Sequence, residues 1–160
     1  SKRFTLQATT RKNSAHKKQN IFKPFSVESG FSFLGELKMG FLFVGLGGAV
    51  GAMLRYAISL IPYKGGFPLL TFVTNILGAL LIGFIVGYAS KRNVSDSLML
   101  FLKTGLCGGF TTFSTFSLEA YNLFVSGSKI LAVCYAVLSA VCCIIGVWLG
   151  ITLSTAVVKD

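Results

Sequence analysis

Four apolar runs, near residues 40–61, 68–90, 97–124 and 130–153, take up most of the chain and are joined by connections of a few residues. Each is close to the ~20 residues an α-helix needs to cross a bilayer, and well beyond the length of a barrel strand. In hydrocarbon the backbone must satisfy its own polar groups, so runs of this length are expected as helices. The expected fold is therefore an all-α membrane protein with four transmembrane helices. Composition agrees: 53% of the 160 residues are apolar and 12% charged, against about a quarter charged in soluble domains, and mean hydropathy is +0.73. The connections leave no room for a soluble domain.

The net charge of +10 is unevenly placed. Residues 1–38 carry eight Lys/Arg and two acids, while residues 39–160 carry seven and three. The chain therefore divides into a basic leader, 1–38, and a membrane domain, 39–160. The leader alternates basic pairs with Ser, Thr, Asn and Gln, and disorder is expected to about Asn20, with Phe31–Leu34 as a short interfacial turn. Nucleic-acid binding needs a basic face on a folded scaffold, which the membrane domain lacks. With the leader before Lys38 set aside, Lys38, Lys91, Arg92, Lys103 and Lys159 fall on the side of the termini and Lys64 and Lys129 on the other. That bias favours termini inside. The cysteines, Cys107, Cys134, Cys142 and Cys143, lie in apolar runs without paired spacing, as small apolar side chains of a bundle do, not as metal ligands.

Within the runs, small residues recur at four-residue steps: Gly47/Gly51, Gly83/Gly87 and Gly146/Gly150. Such faces let two helix backbones come close. Polar residues are few. Arg55 is the one basic residue inside the first, second or fourth run, explained equally by snorkelling to the headgroups or as an anchor that draws anions to a vestibule or fixes a loop. Asn75 stands near mid-span in the second run, where an interhelical hydrogen bond is its ordinary explanation. Tyr135, Ser139 and Cys143 share one face of the fourth. Ser95 is expected to cap the third helix.

The third run is the anomaly. Gly105-Leu-Cys-Gly108-Gly109-Phe110-Thr111-Thr112-Phe113-Ser114-Thr115-Phe116-Ser117-Leu-Glu119 puts three glycines, five hydroxyls and a carboxylate at membrane depth. Gly-Gly followed by Thr-Thr is poor helix material. Two half-helices are expected around a break near 108–112, and irregular backbone in a membrane is tolerated where it is buried in protein or lines a polar path.

Three motifs then resemble one family. Gly-Gly-Ala-Val-Gly-Ala-x-x-Arg-Tyr at 47–56, Thr71-x-x-x-Asn75-x-x-Gly78, and the 105–119 stretch are similar to the CrcB/Fluc fluoride channel family, over about residues 40–155. The resemblance implies four transmembrane helices with a broken third helix, in an antiparallel, dual-topology homodimer, or a pairing with an oppositely oriented paralogous chain. It implies a multi-pass protein of the cell membrane, surrounded by lipid, that passes fluoride through two pores. A sodium ion would sit at the dimer centre on the main-chain carbonyls of Gly108 and Thr111. Phe113 and Phe116 match the pore phenylalanines, and Asn75, Tyr135 and Ser139 the polar track. Thr115 and Glu119 would belong to the outer part of the path.

The chemistry of these residues suits that assignment. Fluoride is small and tightly hydrated, so a pore must replace its water with hydrogen-bond donors. Asn75, Tyr135 and Ser139 bring N–H or O–H groups, and phenylalanine rings have positive edges. Carbonyls freed by a helix break are hard oxygen ligands for an alkali cation. Glu119 fits least well, since a carboxylate repels an anion. It is expected near the interface, paired with a hydroxyl such as Thr115, or protonated. The alternative is a small dual-topology proton-coupled exporter, which wants a carboxylate in an early span; the first two spans hold none. A scaffold would explain the glycine pairs and leave 105–119 without a reason. Enzyme function lacks a nucleophile–base pair, the sole histidine being His16 in the leader.

Overall fold

The computed structural model describes residues 27–158 and resolves them into helices. They are α1 (Val27–Ser59), α2 (Leu69–Ala89), α3 (Asp96–Met99), a π-helix (Leu100–Cys107), α4 (Gly108–Phe110), α5 (Phe113–Val125) and α6 (Lys129–Val157). The chain divides into two units at Leu37/Lys38, and the candidate site lies wholly in the second. The expected disorder to about Asn20 lies outside the described residues. Phe31–Leu34 is not a separate turn: α1 runs through it without interruption, and no proline lies between Val27 and Ser59 to stop it.

Among the described residues, three helices are long and apolar enough to cross a membrane: Leu37–Ser59, Leu69–Ala89 and Lys129–Val157, with mean hydropathies of 1.7, 2.4 and 2.7. Residue size is distributed inside out relative to a soluble protein. Apart from Ile85, the buried positions are small or hydroxylic, among them Ala79, Cys107, Ala132, Thr74, Ser139 and Ser154, whereas Phe41, Ile130, Ile144 and Trp148 are more than three-fifths exposed. Lipid solvates large aliphatic side chains as well as other side chains do, so helices gain most by bringing backbones close.

The glycine pairs do this. A side chain on Gly83 would overlap the backbone of Val147, and one on Gly150 would overlap that of Leu80, so α2 and α6 meet along both faces. Gly47 and Gly51 likewise leave room for no carbon against Phe101, Leu106 and Phe110, and Gly109 packs back on Gly48. The π-helix sits at this contact, its wider turn bringing Gly105 against Gly47. Nothing in the sequence announced it. Ser95 caps α3, accepting from Leu98 N at 3.4 Å. Gly127, at φ 90°, closes the short turn between α5 and α6, where the left-handed region favours glycine.

The backbone leaves helical geometry later than the glycines suggest. Gly108 is helical at φ −64°, ψ −37°, and the backbone becomes extended only at Thr111 (φ −80°, ψ 156°) and Thr112 (φ −146°, ψ 115°). The glycines serve packing, and β-branched threonines take the extended geometry they favour.

Candidate functional site

The Thr111 N–H still donates to the Cys107 carbonyl at 3.0 Å, and the chain leaves the helix after it. A continued α-helix would give the Thr112 N–H to the Gly108 carbonyl. Instead it donates to Asn75 Oδ1 at 2.8 Å, while Asn75 Nδ2 donates back to the Thr112 carbonyl at 3.2 Å. The N–H can only donate, which fixes the orientation of the amide. The Thr115 N–H, which would have gone to Thr111, donates to Thr112 Oγ1 at 3.2 Å and caps α5. Arg55 Nε donates to the Gly109 carbonyl at 3.2 Å. This bond ties α1 to α4 just before the extended segment. The Gly108 and Thr111 carbonyls, the pair expected to hold sodium, are among those whose α-helical donors, here the Thr112 and Thr115 N–H groups, bond elsewhere. Space beside the Gly108 α-carbon is open.

Around this backbone lies a cavity of about 410 Å³. Asn75, Gly108, Thr111, Phe113, Phe116 and Ser139 all line it, together with Cys143, so six of the expected site residues share one wall system. Phe113 and Phe116 are tilted 40° with ring centroids 5.5 Å apart, Phe113 being 80% exposed. Ser139 is buried, and its Oγ has no hydrogen-bond partner among the described residues.

Tyr135, Thr115 and Glu119 stand outside that cavity but adjoin it. Tyr135 is fully buried, its ring 5.1 Å from that of Phe116 and edge-on to Phe67 at 5.4 Å. Its hydroxyl donates to Glu119 Oε2 at 2.8 Å, and Thr71 Oγ1 donates to Glu119 Oε1 at 2.8 Å. Glu119 is therefore paired with hydroxyls, but with Thr71 and Tyr135 and not with Thr115. Thr115 accepts from Thr112 Oγ1 at 3.0 Å and lines a small cavity of about 60 Å³ with Arg55, Thr71 and Thr112. Glu119 also lines an open cavity of about 470 Å³ beside Tyr63, Phe67 and Asn122. A chain of contacts thus joins the two larger cavities through Phe116, Tyr135 and Glu119. Sequence reasoning missed Thr71 as the second hydroxyl on Glu119. The signal available was its position one turn before Asn75 on the same face. Phe67, in the loop before α2, carried none.

Such an assembly defines a class: a helical membrane protein whose polar side chains gather around a short extended segment, with cavities on either side of a buried tyrosine. Similarity to known proteins specifies it. Residues 42–151 match the family described as "CrcB-like protein, Camphor Resistance (CrcB)". The "Fluoride-specific ion channel FluC" of Flavobacterium psychrophilum is 45% identical over 116 residues, 70% of this chain and 94% of the relative. Those of Clostridium perfringens (strain 13 / Type A) and Ruminiclostridium cellulolyticum are 45% and 50% identical, covering 68% and 67% of this chain and 88% and 85% of the relatives. The chain belongs to the CrcB family.

Proposed function

We propose that the protein is a fluoride-selective passive channel that lets fluoride leave the cell and so protects against its toxicity. The observation that carries the proposal is the 410 Å³ cavity, where the Asn75 amide, the Phe113 and Phe116 rings and the unpartnered Ser139 hydroxyl converge with a single charged group on the lining. Donors and ring edges can replace the water of a small anion, and the scarcity of fixed cations favours passage over capture. A fluoride ion arriving past Glu119 meets Tyr135 and then Phe116. The Tyr135 hydroxyl must turn from the carboxylate to the anion, and Thr71 holds Glu119 in place meanwhile.

The third membrane crossing is the broken helix made by α3, the π-helix, α4 and α5. Two copies in opposite orientation would bring their breaks together. The high exposure of Phe113 and the open space at Gly108 support that arrangement; an oppositely oriented paralogous chain would serve equally. Gly108 and Thr111 carbonyls from each copy would supply four hard oxygens for a sodium ion, which would lock the two breaks together. The proposed location is the cell membrane. A proton-coupled exporter is disfavoured because both Glu119 oxygens already accept hydroxyl bonds.

Proteoliposomes containing the protein should release fluoride rapidly and chloride at least about 100-fold more slowly, as steep selectivity by hydration demands. Equal chloride flux would overturn the assignment. Phe113→Ile and Phe116→Ile should each lower fluoride efflux by roughly tenfold or more, on the premise that ring edges contact the ion, while size-exclusion profiles stay unchanged. Unaltered efflux would remove the rings from the path.

A further inference from the structure

The cavity that holds the proposed path has one charged side chain on its lining, Lys103. It lies on the π-helix, five residues before Gly108, and is exposed. Lys103, Cys107 and Thr111 follow at four-residue steps and all line the cavity, so one wall runs from the ammonium group to the break. The opposite wall is Ser139, Cys143 and Val147, also at four-residue steps. Lys103 thus marks one end of the cavity, and Phe113 and Phe116 the other. Among the described residues Lys103 makes no hydrogen bond or ion pair. Its charge is not neutralised by a carboxylate, and no packing role occupies it.

We propose that Lys103 is the anion-concentrating residue at the mouth of the path, on the side of the cavity away from Glu119. The proposal rests on the fluoride-channel assignment above. A cation beside a low-dielectric mouth raises the local concentration of anions and their rate of entry without holding any of them tightly. Position supports this role over a binding role. The eight residues from Lys103 to Thr111 make about two helical turns, at most about 12 Å of axis at the α-helical rise, which sets Lys103 apart from an ion at the break. That distance lies well inside the Debye length of ~30 Å at 0.01 M salt and well outside the ~3 Å at 1 M. The two residues at the ends of the path then have opposite charge and different states: Glu119 is held by two hydroxyls, and Lys103 is open to solvent.

The test compares wild type, Lys103→Gln, Lys103→Arg and Lys103→Glu in proteoliposomes, each first shown to elute like the wild type. Initial fluoride efflux is followed at constant sodium while N-methyl-D-glucamine gluconate raises ionic strength from about 10 mM to 1 M. Lys103→Gln should be about threefold slower than wild type at low salt, Lys103→Glu about tenfold slower, and the differences should nearly vanish at 1 M. Lys103→Arg should match wild type throughout. Wild-type release with no deficit for Lys103→Gln at low salt would overturn the Lys103 proposal alone. So would a deficit of equal size at all salt concentrations, which marks a structural role. A wild type that releases no fluoride would overturn the channel assignment and this proposal with it.

Discussion

Gly51→Ala should abolish folding of the membrane domain, whereas Gly45→Ala should be tolerated. One added carbon at Gly51 would overlap the Leu106 carbonyl oxygen and lie 2.7 Å from Phe110 N and 3.1 Å from Gly109 C. All three are backbone atoms, which cannot rotate aside as a side chain can. Relief would require α1 to move away from the π-helix and α4. That movement would also separate Arg55 from the Gly109 carbonyl, four residues along the same helix. At Gly45 nothing lies within 4 Å, and alanine there improves helix propensity by up to ~1 kcal/mol. The check is expression and monodispersity in detergent, followed by thermal unfolding. A Gly51→Ala protein with wild-type elution and melting would show that the close approach of these backbones is dispensable.

The second large effect is expected at Asn75. Replacing it with Leu leaves the Thr112 N–H and C=O without the partners Asn75 gives them, and each unsatisfied group costs about 1–3 kcal/mol, so roughly 2–6 kcal/mol of stability should be lost. Fluoride efflux should fall to background, because the same amide lines the cavity and holds its backbone open. Asn75→Asp separates these contributions. It keeps an acceptor for the Thr112 N–H but loses the donor to Thr112 O, and it adds a negative charge on the cavity wall. It should melt closer to wild type than Asn75→Leu yet transport as poorly. Were Asn75→Leu to melt and transport normally, the amide would be neither a support nor a lining group.

Much of the helical framework was legible because membrane solvation leaves few choices. Apolar runs marked α1, α2 and α6, and the four-residue glycine steps marked where they approach. Ser95 was readable as a cap from its place before an acidic helix start. The site was legible in its residue types more than in its connections. Asn75 was identifiable as an amide in hydrocarbon that had to bond to something, but only the fold shows that its partner is Thr112, 37 residues away. Gly-Gly drew attention as the weak point of the third run because glycine lowers helix propensity. In the folded protein its lack of a side chain mattered for packing against Gly48, and the helix gave way at the threonines. The π-helix had no local signature, since it follows from how Gly105 meets Gly47. Glu119 gave no hint of its partners because Thr71 and Tyr135 approach it from helices on either side in sequence.

The hydrogen bonds that hold Thr111 and Thr112 out of the helix also impose an order on biogenesis. Both outside supports, Arg55 and Asn75, lie upstream, in α1 and α2. An exposed pair of unpaired peptide groups is poorly tolerated in hydrocarbon, so this segment cannot settle in the bilayer by itself. Synthesis from the N-terminus delivers the two helices that can receive it before the segment emerges, and α6 arrives afterwards to close Tyr135 over Glu119. The direction of translation therefore matches the direction in which polar groups become satisfied.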